Sequence, residues 1–267
     1  MKKIAPLVLT LAFILTVVTS GVAHSPAAPR GEVVLYRAGE TECEGYFAID
    51  PAHAGPRPAV LIVHAWKGHD AYVRRRADEL AALGYAAFAL DMYGKGVRAK
   101  DAKEAGQLAG KFYGDRALMR SRFTAGLEAL KAQKGVDASR IAAIGYCFGG
   151  TVVLEAARSG IDLDAVVSFH GGLSFEGAPE KDSVKAKVLV CNGDADPLVA
   201  PDARRKFSDE MTAAGADFVF IEYGHALHAF TDSSYVGDQS SSAARYDEKA
   251  DARSWRHMLA WFEEAMR

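Results

Sequence analysis

From Pro58 onward the sequence alternates short, unbroken apolar runs with longer stretches of helical periodicity, and this rhythm restricts the fold more than any other feature. The runs are "AVLIVH" (59–64), "YAAFAL" (85–90), "RIAAIGY" (140–146), "AVVSFH" (165–170), "KVLVCNG" (187–193) and "DFVFIEY" (217–223). A strand with one wet face alternates apolar and polar residues. A strand apolar at nearly every position must be covered on both faces, the condition of a parallel sheet between helix layers. Helical patterns at 71–83, 103–108, 116–131, 149–159, 201–214 and 243–265 fall between the runs. The expected fold is therefore α/β, a doubly wound and mostly parallel sheet with right-handed crossovers. Two alternating β patterns, 32–38 and 44–50, precede the first buried run and read as an antiparallel pair leading the sheet. No repeat, low-complexity tract or second rhythm interrupts residues 32–267. They are expected to form one domain, and at 49% apolar residues over a 267-residue chain they can fill one large core.

Charge excludes one partner class. Lys, Arg, Asp and Glu are interspersed along the whole length and sum to a formal net charge of −2, so no basic face for nucleic acid is expected. The first residues are organised differently. Lys2 and Lys3 precede an apolar stretch from Ile4 to Val18, and small residues end in Gly21-Val22-Ala23. That order is a secretory signal over residues 1–23 with cleavage after Ala23, followed by a Pro/Ala-rich connector at 24–31. The run is short for a membrane span. The expected product is a periplasmic or secreted protein with no stable membrane association after cleavage. Export bears on the cysteines: Cys43, Cys147 and Cys191 are an odd number, so at least one stays free in an oxidising compartment.

The stretch "GYCFGG" puts Cys147 after a buried strand and before a helix, with Gly145 and Gly149 two residues to either side. This is the nucleophile-elbow spacing G-x-S-x-G with cysteine in the serine position. Glycines are needed because the turn is sharp and a neighbouring Cβ would meet the adjoining strand or helix. A helix N-terminus also favours thiolate. The plainer fate of an unpaired cysteine is burial as a small apolar residue, but that fate does not require this spacing.

A thiol nucleophile needs a base, and the base an orienting acid, in the chain order nucleophile, acid, histidine. "CNGDADPLVAP" offers Asp194 and Asp196 just past a strand end, where sites on such sheets lie. Asp196 is preferred because Pro197 fixes its turn, with Asp194 as a cap of that turn. "YGHALHAFTD" offers His225 and His228, and His228 is preferred. Two histidines three apart could suggest a metal, but no third ligand with suitable spacing accompanies them, so neither metal nor cofactor is expected.

With these residues placed, the chain resembles the dienelactone hydrolase family of α/β hydrolases. "VLIVHAWKG", "LAALGYAAFALDMYGKG", "IGYCFGG", "NGDADPLV" and "HAF" stand in the family's order and spacing from about residue 32 to 266. The resemblance implies a triad of Cys147, Asp196 and His228. It also implies an oxyanion hole from the backbone N–H groups of Trp66 and Phe148. Two positions depart from the family's pattern. Where well-known members carry a glutamate that contacts the resting thiol, this chain has Ala65. Where they carry an arginine that holds a substrate carboxylate, it has Asp232, which argues against a dianionic dienelactone. Arg116 and Arg120, one helical turn apart, could supply a substitute anion site, although such a pair is more commonly a solvated helix face. His170-Gly171-Gly172 has the letters of a lipase oxyanion motif but follows the nucleophile, which is the wrong place for one.

The leading expectation is an exported hydrolase of a small ester or lactone, a monomer or small homo-oligomer working through an acyl-enzyme. The competing classes are a thioesterase, a ligand-binding protein that kept the fold without turnover, and a redox-sensing thiol protein. The last lacks both a C-x-x-C and an evident resolving cysteine.

Overall fold

The computed structural model describes Met1 and residues 31–52, 55–236 and 243–267. The expected export signal and connector, apart from Met1 and Gly31, lie outside the described residues. The chain enters through a hairpin. Strand β1 (Gly31–Ala38) pairs along its whole length with β2 (Thr41–Ala48) across a two-residue turn in which Gly39 takes φ +61°. Turn and pairing carry β2 back to Thr41, three residues before its apolar alternation begins.

The remaining elements follow the expected rhythm. In order they are β3 (Arg57–Val63), α1 (Ala71–Ala82), β4 (Ala86–Leu90), α2 (Ala102–Gly114), α3 (Arg116–Lys131), β5 (Val136–Tyr146), α4 (Phe148–Arg158), β6 (Ala165–Phe169), β7 (Lys187–Gly193), α5 (Pro201–Ala213), β8 (Phe218–Tyr223) and α6 (Glu248–Ala265). They build one eight-stranded sheet in the order β1-β2-β4-β3-β5-β6-β7-β8. The pairs β1–β2 and β2–β4 are antiparallel and the others parallel.

The unbroken apolar strands have the physical cause the sequence suggests. In β3, Leu61 and Val63 face one core while Val60 and Ile62 face the other, and all four are fully buried. Helices α2 to α5 cover the first face, with Phe123, Leu154 and Phe207 packed inward. Helices α1 and α6 cover the second with Leu80, Met258 and Phe262. Burying a side chain of this size contributes about 1.5–3 kcal/mol, so the two layers hold the strands in place.

Topology then selects the site. From β3 the chain moves to one side to form β4, then returns to the other side of β3 as β5. The crevice at the C-terminal ends of β3 and β5 is this sheet's switch point, where ligands bind in open α/β sheets. The loop after β3 carries Trp66, and the turn after β5 carries Cys147.

Candidate active site

Cys147 is the only residue between β5 and α4, and it makes the turn with φ +55° and ψ −114°. That left-handed backbone is costly for a non-glycine residue and is tolerated where surrounding structure enforces it. The enforcement is visible in the neighbours. A Cβ on Gly145 would fall on the Gly149 carbonyl, and one on Gly149 would fall on the Val63 carbonyl. The glycine spacing is thus a packing requirement between β5, α4 and β3.

His228 follows β8 and is buried, as is Asp196 after β7. His228 Nδ1 lies 2.8 Å from Asp196 Oδ2. The backbone of His228 is fixed on both sides: its N–H donates to Ala243 O and its carbonyl accepts from Arg245 N. Asp196 Oδ1 accepts the Leu198 N–H at 2.8 Å, so Asp196 itself caps the turn for which Asp194 was the expected cap. Asp194 is exposed, and so is His225 in its loop. With Nδ1 committed to Asp196, the buried Nε2 of His228 has no other conventional partner and interacts with the Cys147 thiol.

The electrostatics of the pair are mutual. Burial alone would raise the Cys147 thiol, but the adjacent His228 and the backbone N–H groups of Phe148 and Trp66 overcome it, and the net shift is downward. Burial would likewise lower His228, yet the thiolate and the Asp196 carboxylate drive it well above an ordinary imidazole. Each charged form favours the other, so the pair is set toward thiolate and imidazolium. The other thiols are different in kind. All three cysteines are free, but Cys43 and Cys191 are fully buried, and burial pushes Cys191 up to about 12.

One residue at the site escaped sequence reasoning in this role. His170, at the end of β6 with φ +41°, accepts the Cys147 N–H at Nδ1 over 3.1 Å. Its Nε2 therefore carries the proton and donates to Thr231 Oγ1 at 2.9 Å, and Tyr72 donates to the same oxygen. Burial holds His170 far below the ordinary imidazole value. It is a neutral strut under the elbow and a second ring against His228 at 5.1 Å.

Cys147 and His228 open into a cleft of about 850 Å³. Its walls include Trp66, Tyr113, Leu198 and Tyr235, and its charged groups among the described residues are Lys67, Asp70, Asp101 and Asp232. Asp70 is raised by burial despite capping α1, and Asp232 adds to the shift. Neither Arg116 nor Arg120 lines this cleft. Arg116 donates to Ser174 O and stacks over Phe175, and Arg120 pairs with Glu155. Spacing along a helix could not show that this face packs on α4 and the β6 exit loop. Among the described residues, no group of three or more His, Cys, Asp or Glu side chains is placed to hold a metal, and no helix is long and apolar enough to cross a membrane.

A mostly parallel sheet with a strand–elbow–helix at its switch point, and a carboxylate–imidazole pair on the same edge, defines an α/β hydrolase. The dienelactone hydrolase family matches residues 43–266, and the chain belongs to that family. A dienelactone hydrolase-like promiscuous phosphotriesterase from metagenomic libraries shares 40% identity, covering 89% of this chain and 98% of the other, with a TM-score of 0.84. A Yersinia pestis protein provisionally named carboxymethylenebutenolidase is 27% identical over 88% of each chain. The dienelactone hydrolase of Anabaena variabilis, 19% identical with a TM-score of 0.61 over 90% of this chain and 99% of that one, shares the fold.

Proposed function

We propose that this protein hydrolyses small, uncharged carboxylic esters or lactones through a thiolate nucleophile and an acyl-enzyme. The observation that carries the reading is the Cys147 thiol on its strained elbow, lowered by His228, with His228 Nδ1 held at 2.8 Å by buried Asp196. Cys147 Sγ attacks the carbonyl carbon, and the π pair moves onto oxygen. The Trp66 and Phe148 N–H groups, already facing the sulfur, donate to that oxyanion. The intermediate collapses, the C–O bond breaks, and the leaving alkoxide takes the proton from His228 Nε2. Water then attacks the thioester and gives a proton back to Nε2, and the C–S bond breaks to release the acid and restore the thiolate. In a lactone the alcohol stays tethered to the acyl group.

Charge in the cleft supports the choice of neutral substrates. Among the described residues Asp70, Asp101 and Asp232 outnumber Lys67, and the two arginines considered as an anion site are engaged elsewhere. Neutral nitrophenyl esters should therefore exceed carboxylated ones of equal size in kcat/KM, with the gap narrowing as salt is added. A preference for the carboxylated ester at low salt would contradict this account of the cleft. The 40% identical relative is named a phosphotriesterase, so a neutral phosphotriester is the second substrate class to assay in the same panel.

We also propose that the protein is exported, which Lys2, Lys3 and the apolar residues after them support. Expression of the full chain in a Gram-negative host should place a protein lacking residues 1–23 in the periplasm. Retention of the uncleaved chain in the cytoplasm would refute this part.

A further inference from the structure

The two N–H groups that face the Cys147 sulfur differ in how they are held. That of Phe148 is the first of α4 and inherits the helix's rigidity. That of Trp66 lies in a loop between β3 and α1 and has no regular element to fix it. Its direction depends on the plane of the Ala65–Trp66 peptide. In a trans peptide the carbonyl and N–H point opposite ways, so whatever grips Ala65 O aims Trp66 N–H.

His64 grips it. Its ring is fully buried at the end of β3. Nε2 accepts the Met92 N–H at 3.1 Å, which leaves the proton on Nδ1, and Nδ1 lies 2.7 Å from Ala65 O. The tautomer is thus set by a backbone donor that cannot change role. Burial pushes the imidazole down to about 4, so the ring stays neutral and keeps one donor and one acceptor through the neutral range. Three further contacts tie the ring and the loop to the site. The Gly68 N–H donates to Ala65 O at 3.1 Å, and Tyr93 Oη donates to Trp66 O at 2.9 Å. The His64 ring stacks at 6.0 Å on Phe148, the residue that provides the other N–H.

We infer that His64 is a positioning residue for the oxyanion hole: its Nδ1–H holds the Ala65 carbonyl so that the N–H of the same peptide faces the sulfur of Cys147. The inference rests on the reading of Cys147 as nucleophile. It adds that the loop half of the hole is set from beneath by an imidazole that never touches substrate. Ala65, whose methyl brings no group to compete for the sulfur, leaves this peptide plane as the loop's contribution to the thiolate.

The test compares His64→Asn, His64→Gln and His64→Leu. An Asn amide places an N–H where Nδ1 stands and loses the Met92 contact. A Gln amide reaches toward Met92 and loses the Ala65 contact, and Leu loses both. For each variant we would measure kcat, KM, melting temperature and the pH profile of Cys147 alkylation by iodoacetamide. Gln and Leu should lose about 10-fold to 10²-fold in kcat with little change in KM, because a displaced oxyanion donor acts on the transition state. Their thiol should titrate at higher pH, and Asn should restore both readouts toward wild type. If all three variants only melt earlier, with kcat and the alkylation profile of the folded protein unchanged, His64 is structural and the inference is wrong. Turnover surviving in Cys147→Ala would instead overturn the nucleophile reading, so the two failures are separable.

Discussion

Cys147→Ala is expected to lower kcat for a nitrophenyl ester on the order of 10⁶-fold, the loss seen when a triad nucleophile is removed, while melting temperature changes little. The size of the effect follows from chemistry: without Sγ no covalent intermediate forms, and His228 faces a methyl group. Stability should hold because the elbow is enforced by its neighbours, namely Gly145 against Gly149, Gly149 against Val63, and the Cys147 N–H bonded to His170 and Phe169 O. None of these contacts uses the sulfur. Comparing kcat with the thermal melt separates lost chemistry from lost fold. A variant that melts normally and turns over at wild-type rate would remove Cys147 from the mechanism.

Removing the orienting carboxylate should cost nearly as much. Asp196→Asn is expected to reduce kcat about 10⁴-fold, as the equivalent change does in another triad, because an amide cannot stabilise the imidazolium and can present the wrong hydrogen to Nδ1. His228→Ala should fall at least as far, while Asp194→Asn and His225→Ala, both at exposed positions, should stay near wild type. Activity should fall on both sides of a pH window. The thiol is lowered and the imidazole raised, so the ion pair is present between the two values. It is lost by protonation of sulfur on the acid side and by deprotonation of His228 on the alkaline side. In Asp196→Asn one cause of the raised imidazole is gone, so the alkaline limb should move to lower pH. Inactive, well-folded Asp194→Asn and His225→Ala proteins would show that the pair had been assigned to the wrong residues.

How much of this was legible in the sequence depends on whether the cause is local. Burial on both faces writes itself into the strands, so β7 fell where the apolar run placed it, and α3 matched its expected helix. The apolar run could not show that β5 begins at Val136, because Asp137, Ser139 and Arg140 interrupt it and the extension comes from pairing of Arg57 with Val136. Helix α2 runs on to Gly114 through Gly106 and Gly110, residues that weaken a helical signal while the packing of Ala109 and Phe112 sustains the helix. Helix α6 starts only at Glu248, where Asp247 caps it, five residues later than its periodicity suggested.

The site divides in the same way. Elbow spacing and strand-end position are local, so Cys147, Asp196 and His228 could be named as candidates, and the fold brings them to one edge. His64 grips the neighbouring Ala65 carbonyl only because the Met92 N–H, 28 residues away, fixes its tautomer, and His170 acts on the Cys147 N–H 23 residues away. Nothing in "VLIVHAWKG" or "SFHGG" marks an imidazole as a strut; that meaning exists only once β3 lies beside β4 and β5 beside β6.

The most direct test of the account is to find the acyl group. Wild-type protein would be mixed with a nitrophenyl ester whose bulky acyl group leaves slowly, quenched in acid during turnover, digested and mapped by mass spectrometry. One acyl group per chain is expected, on the peptide carrying Cys147, with none on Cys43 or Cys191 and none in Cys147→Ala. An acyl group on any other side chain, formed at the rate of turnover and still present in Cys147→Ala, would contradict it.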